Sequence, residues 1–117
     1  MEDVKNIVTG MEQELRRGTM TLCVLSRLGL PKYGYALVEE MAAAGLLIEP
    51  GTLYPLLRRL EAQGLLTSEW ETSRAKPRKY YSRSAQGEIV YGLLCKEWDA
   101  MTQCIDKLIN GEEQNNE

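Results

Sequence analysis

Tyr91, Leu94, Trp98, Met101, Ile105 and Leu108 follow one another at alternating steps of three and four residues near the end of a chain of 117. This is a heptad seam, the pattern of an α-helix that offers one continuous apolar stripe to another helix. The helix that carries it is predicted from Ala85 to about Asn110, with Ser84 as its N-cap. Such a helix is too long and too apolar to serve a lone domain of this size. A chain this short buries a small share of its surface, so pairing through the seam would make good part of the deficit.

Upstream of residue 65 the periodicity is helical throughout. Val4, Ile7, Val8, Met11 and Leu15 mark a first amphipathic helix, weakened by Gly10. Met20 to Leu28 is a denser apolar helix, stopped by Gly29-Leu-Pro31. Tyr35 to Ala44 reads as the next, with Leu37, Val38 and Met41 turned inward and Gly45 at its end. Leu46 to Gly51 reads as a loop, with a strand-like stretch at Leu46 to Ile48. Thr52 is expected to cap a further helix, with Pro55 in its first turn, where a missing N–H costs nothing. Leu53, Leu56, Leu57 and Leu60 form its inner stripe, and Tyr54, Arg58 and Arg59 lie outside. Arg58 could instead pair with Glu61, one turn on.

After Gly64 the period drops to two. Leu65 to Glu71 reads as a strand, with Leu66 and Trp70 on one face. Thr72 to Pro77 is a turn-rich tip, and Arg78 to Arg83 is the returning strand. Tyr80 and Tyr81 point to opposite faces of it, so one of them belongs to the core. The resulting fold class is mainly α with a small β-hairpin (α+β). The order is that of a winged helix-turn-helix followed by a long C-terminal dimerisation helix. The boundaries are 1–83 for the winged unit with its N-terminal helix, 84–110 for the dimerisation helix and 111–117 for a frayed tail.

Composition removes several classes of function. Histidine is absent, and with it the commonest general base and metal ligand. No Gly-rich phosphate loop or nucleophile elbow is present, so an enzyme is not expected, nor any cofactor or metal. Cys23, Cys95 and Cys104 match no zinc or redox spacing and read as buried or half-buried thiols of a reducing cytosol. The charged N-terminus resembles no signal peptide, and the longest apolar run, Met41 to Ile48, is too short to span a bilayer. A cytoplasmic protein without membrane partners is expected.

The formal net charge is −3, yet its distribution is lopsided. Residues 54–83 carry seven basic and three acidic side chains, whereas residues 84–117 carry two and seven. One face is thus suited to phosphate and another is not. The segment Glu49-Pro-Gly-Thr-Leu-Tyr-Pro-Leu-Leu-Arg-Arg-Leu60 resembles the recognition-helix signature of the PadR (phenolic acid decarboxylase regulator) family. Arg17 to Leu22, Tyr33-Gly-Tyr35, Pro77 to Tyr81 and Ser84 to Gly87 are similar to other parts of that family, in the same order. The single helix after the wing is similar to its smaller subfamily.

The resemblance implies a dimeric repressor of palindromic operators in double-stranded DNA, in some members released by small aromatic or cationic compounds. It implies that Tyr54, Arg58 and Arg59 face DNA, and that Thr52 contacts phosphate or caps the helix. Tyr33 and Tyr35 would touch the backbone, although packing is at least as good a role for Tyr35. Lys76, Arg78 and Lys79 would be wing contacts. For the stripe Tyr91, Leu94, Trp98, Met101, Ile105 and Leu108 two readings stand: plain homodimer packing, or a dimer-centre pocket in which Trp98 stacks on a flat aromatic effector. The alternative function is a winged-helix adaptor that binds protein without DNA specificity, a reading to which the acidic C-terminal helix lends support.

Overall fold

The structure, a computed structural model, describes residues 2–111. Helices α1 (Glu2–Arg17) and α2 (Met20–Ser26) lead into a two-residue strand β1 (Lys32–Tyr33), then α3 (Gly34–Ala43) and α4 (Pro50–Ala62). Strands β2 (Leu66–Glu71) and β3 (Arg78–Arg83) form the hairpin, and α5 (Ala85–Asp106) passes into a π-helical turn over Lys107–Gly111. This is a winged helix-turn-helix with a long C-terminal helix. The α-helix therefore stops at Asp106, short of the expected Asn110. Of the expected tail, residues 112–117 lie outside the described residues.

The core is leucine. Leu25 and Leu28 of α2 and its end, Leu37 of α3, and Leu53, Leu57 and Leu60 of α4 are fully buried around Val24. Each such side chain contributes about 1.5–3 kcal/mol by leaving water. Leu65, Leu66 and Tyr81 close the cluster from the sheet side, so Tyr81 is the tyrosine that belongs to the core. Trp70 shares a face with Leu66 but lies beyond the edge of that core and is 63% exposed.

The sheet has three strands in the order β1-β3-β2, where a simple hairpin was expected. Lys32 pairs with Tyr81 and Tyr33 with Tyr80, antiparallel, while Leu66 to Glu71 pair with Arg83 to Arg78. The strand-like stretch expected at Leu46–Ile48 forms no ladder. Its apolar character serves packing, with Ile48 buried in the core. The third strand comes instead from the two residues just before α3.

Helix α4 starts earlier than expected. Its N-cap residue is Glu49, and Pro50 takes the first helical position, where its fixed φ is already helical. The N–H groups of Thr52 and Leu53 both donate to the Glu49 carbonyl at 2.9 Å, so Thr52 is inside the helix and does not cap it. Pro55 consequently sits in the second turn and cannot donate to the Gly51 carbonyl. Gly51 is exposed, which leaves that carbonyl open to water.

The join between β3 and α5 is a single residue, Ser84, and hydrogen bonds anchor both it and Arg83 before it. Gly87 N–H donates to Ser84 Oγ at 2.9 Å, the expected N-cap, while Ser84 N–H donates to the Leu65 carbonyl at 3.0 Å. Arg83 donates from its backbone to the Leu28 carbonyl and from Nη1 to the Leu25 carbonyl, at 2.8 and 2.6 Å. It also pairs with Glu88 at 3.1 Å and lies 4.3 Å above the Tyr91 ring. One guanidinium thus holds the C-terminal end of α2 against the first turns of α5, where a cation also suits the helix dipole. The Tyr91 phenol is held above its ordinary pKa by a hydrogen bond with Cys95 and then by burial.

Beyond this join the C-terminal stripe is uncovered. Tyr91 and Leu94 are half-buried, but Trp98, Met101 and Ile105 are each 43% exposed. The α1 stripe of Val4, Ile7, Val8, Met11 and Leu15 is exposed along its whole length. Cys95 and Cys104, on the uncovered α5, are exposed as well; only Cys23 is half-buried as expected. Among the described residues no helix is long and apolar enough to cross a membrane.

Candidate nucleic-acid interface

Four leucines hold α4 by one side, and that fixes what the other side presents. At 3.6 residues per turn, Tyr54 and Arg58 fall on the flank nearer the wing, Arg59 and Thr52 on the far flank, and Gly51, Pro55 and Ala62 between them. All seven are exposed. The centre of the ridge is therefore built of small side chains and its edges of hydrogen-bonding ones. Arg58 and Arg59 make no ion pair among the described residues. Glu61, the alternative partner for Arg58, is occupied by Lys79 at 3.5 Å and by the Ser68 hydroxyl.

Between α4 and the wing lies a notch of about 410 Å³, lined by Tyr33, Tyr54, Arg58, Trp70, Arg78 and Lys79. Tyr54 lies flat across Gly34 at the start of α3: a Cβ at that glycine would stand 2.4 Å from the ring. Glycine is needed there for close approach rather than for backbone freedom. Arg78 stacks on Tyr33, its guanidinium carbon 4.1 Å from the ring centroid, and Tyr33 packs edge-on against Tyr80 with centroids 5.5 Å apart. The Arg78 donors are thereby aimed before any ligand arrives. Lys79 is placed differently. It is drawn inward by Glu61 and by the Trp70 and Tyr81 rings, 5.9 and 5.3 Å away, so contact with a ligand requires that pair to open. Lys76 is exposed at the wing tip, where Arg74 pairs with Glu71 at 3.6 Å.

The structure thus brings Tyr33, Tyr54, Arg58 and Arg78 together and leaves Arg59 and Thr52 on the other flank. Tyr35 is 56% exposed in the first turn of α3, so the packing role weighed for it does not apply. Its ring points off the helix because Gly34, Leu37 and Met41 already fill the inner face.

Residues 21–92, more than half of the chain, match the transcriptional regulator PadR-like family. The chain belongs to the PadR-like family of transcriptional regulators. It is similar to a crystal structure of a PadR family transcriptional regulator from Eggerthella lenta, with 46% identity, a TM-score of 0.89, and coverage of 94% of this chain and 98% of that one. A PadR-like transcription factor from Bacteroides fragilis is 32% identical with a TM-score of 0.72, covering 85% of this chain and 98% of the other. A transcriptional regulator of Mycobacterium tuberculosis is 32% identical over 80 residues, which are 68% of this chain and 72% of that protein. The PadR-like match takes in α2 to the first turns of α5, and so contains every residue of the notch. It also places the chain among transcriptional regulators rather than enzymes.

Proposed function

We propose that this PadR-like chain is a homodimeric repressor that reads a palindromic operator with α4 and grips the flanking backbone with its wing. An α-helix fits the major groove of B-DNA, about 12 Å wide. The small residues at the centre of the ridge let the helix approach base edges, and Arg58 is free to address the O6 and N7 of a guanine. Arg78 and Lys76 suit phosphates, which add affinity without sequence information, and the Tyr33 and Tyr35 hydroxyls suit the backbone beside them. The observation that carries the reading is Arg58, exposed and without an ion pair beside a notch whose second arginine is already held by stacking.

The decisive experiment is electrophoretic mobility shift against the DNA upstream of the protein's own gene. A specific, salt-sensitive complex is expected. Arg58→Ala should weaken it by roughly tenfold or more and relax the preference at one base pair. No specific shift from the wild-type chain would instead favour the adaptor reading.

Release by an effector belongs to the same proposal. A groove of about 570 Å³ runs between α5 and the α1–α2 junction, lined by Leu15, Leu22, Leu94, Trp98, Met101 and Ile105. Its size and apolar walls suit a small flat molecule. A planar aromatic cation should quench tryptophan fluorescence in the wild type and not in Trp98→Ala. Equal quenching in both would remove the groove as the site, since Trp70 is the other tryptophan.

A further inference from the structure

On the side of α4 away from the wing lies a second notch, of about 520 Å³, between that helix and the end of α1. Arg16, Arg17 and Arg59 line it together with Thr21 and Thr52, against the single carboxylate of Glu49. The ridge of α4 is therefore flanked by cations on both sides, Arg58 and Arg78 on one and these three arginines on the other. We propose that Arg16 and Arg17 form a second phosphate-binding wall, which holds the DNA backbone across the major groove from the wing. The proposal rests on the DNA-binding reading above and extends it to residues outside the winged helix itself.

Three observations support it. A helix lying in the major groove has a sugar–phosphate backbone on each side, so a reading helix with cations on one flank alone would be gripped unevenly. Next, the arginines are available. Arg16 reaches Glu12 at 4.0 Å and Arg17 reaches Glu14 at 3.6 Å, but all four side chains are at least half exposed. Exposed pairs of this kind hold weakly and give way readily to a phosphate. Finally, the face is right. On the α1 wheel the stripe of Val4, Ile7, Val8, Met11 and Leu15 falls on one side, and Gln13, Arg16 and Arg17 fall on the other. Arg16 also borders the α5 groove, so a partner covering the stripe leaves Arg17 the more open of the two.

The test is a salt titration of binding, followed by fluorescence anisotropy, with the full-length chain. One duplex carries the upstream operator and the other a scrambled sequence of equal length. The double variant Arg16→Gln/Arg17→Gln should lose affinity for both duplexes by the same factor. The slope of log affinity against log salt should become shallower by about two, the share of two phosphates. Arg16→Lys/Arg17→Lys should keep the wild-type slope. An unchanged slope in the glutamine variant overturns the proposal, and so does a loss of binding accompanied by sedimentation as a monomer, which would assign the arginines to pairing. If the wild type binds neither duplex, the DNA-binding reading itself fails. Wild-type binding that is lost in Arg58→Ala but intact in the glutamine variant removes the second wall alone.

Discussion

Ile105→Asp should yield a folded chain that sediments as a monomer and holds its operator about 100- to 10,000-fold more weakly than the wild type. Ile105 lies in the stripe continued by Trp98 and Met101, all three 43% exposed in the isolated chain and all facing the same apolar groove. Apolar side chains exposed in a row cost solubility unless something covers them, and a second copy presents an identical row by symmetry. An aspartate in that row would be stripped of water on both subunits at once, next to its twin across the twofold axis. Folding of the subunit does not depend on the position, because the buried core ends further up the chain, at Tyr81, with only Val90, Tyr91 and Leu94 of α5 packed on it. The operator penalty follows from valence. Two joined reading helices bind the second half-site at high effective concentration, and a monomer forfeits that gain. Sedimentation equilibrium with far-ultraviolet circular dichroism checks the result. A variant that remains a dimer places the interface elsewhere.

The second large effect lies at the join. Gly87→Ala should lower stability by about 3 kcal/mol, a substantial part of what a domain of this size possesses. A methyl group at Gly87 would stand 2.0 Å from the Leu65 carbonyl oxygen, and that contact is backbone, so no side chain can swing aside. The Leu65 carbonyl cannot retreat cheaply either, because it accepts the Ser84 N–H at 3.0 Å. Relief requires α5 to lift off the sheet, which would break the cap at Ser84. The same substitution at Gly92, where nothing lies within 4 Å, should leave stability unchanged or raise it by up to about 1 kcal/mol. Denaturant midpoints of the two variants, compared at equal m-value, decide the matter. Equal midpoints would mean that the join is looser than its hydrogen bonds imply.

Much of this molecule is legible from residue spacing, and the exceptions have local causes. The α4 stripe and the hairpin period are strong signals because each buried face leaves a regular mark in the sequence. Strand β1 leaves none. Two residues are too few for a period, and Tyr33 and Lys32 join the ladder only because β3 arrives beside them. The start of α4 is hidden in the sequence because Thr52 has the chemistry of a cap, whereas Pro50 settles the matter through its fixed φ. Among the candidate contacts, Tyr54, Arg58 and Arg78 are marked by type and position. That Lys79 turns toward Glu61, and that Arg16 and Arg17 come to rest beside α4, depends on how distant segments pack. No spacing within one helix encodes that.

The anchored junction at Ser84 has a consequence for the layout of a target site. With a lone residue between wing and final helix, and hydrogen bonds on either side of it, each subunit has no swivel there. In the homodimer proposed above, the separation and relative rotation of the two reading helices would then be set by the pairing of the long helices. Inserting one base pair between half-sites turns them by about a tenth of a helical turn. A dimer built in that way has no slack at the junction to follow, so spacer length would become part of the address.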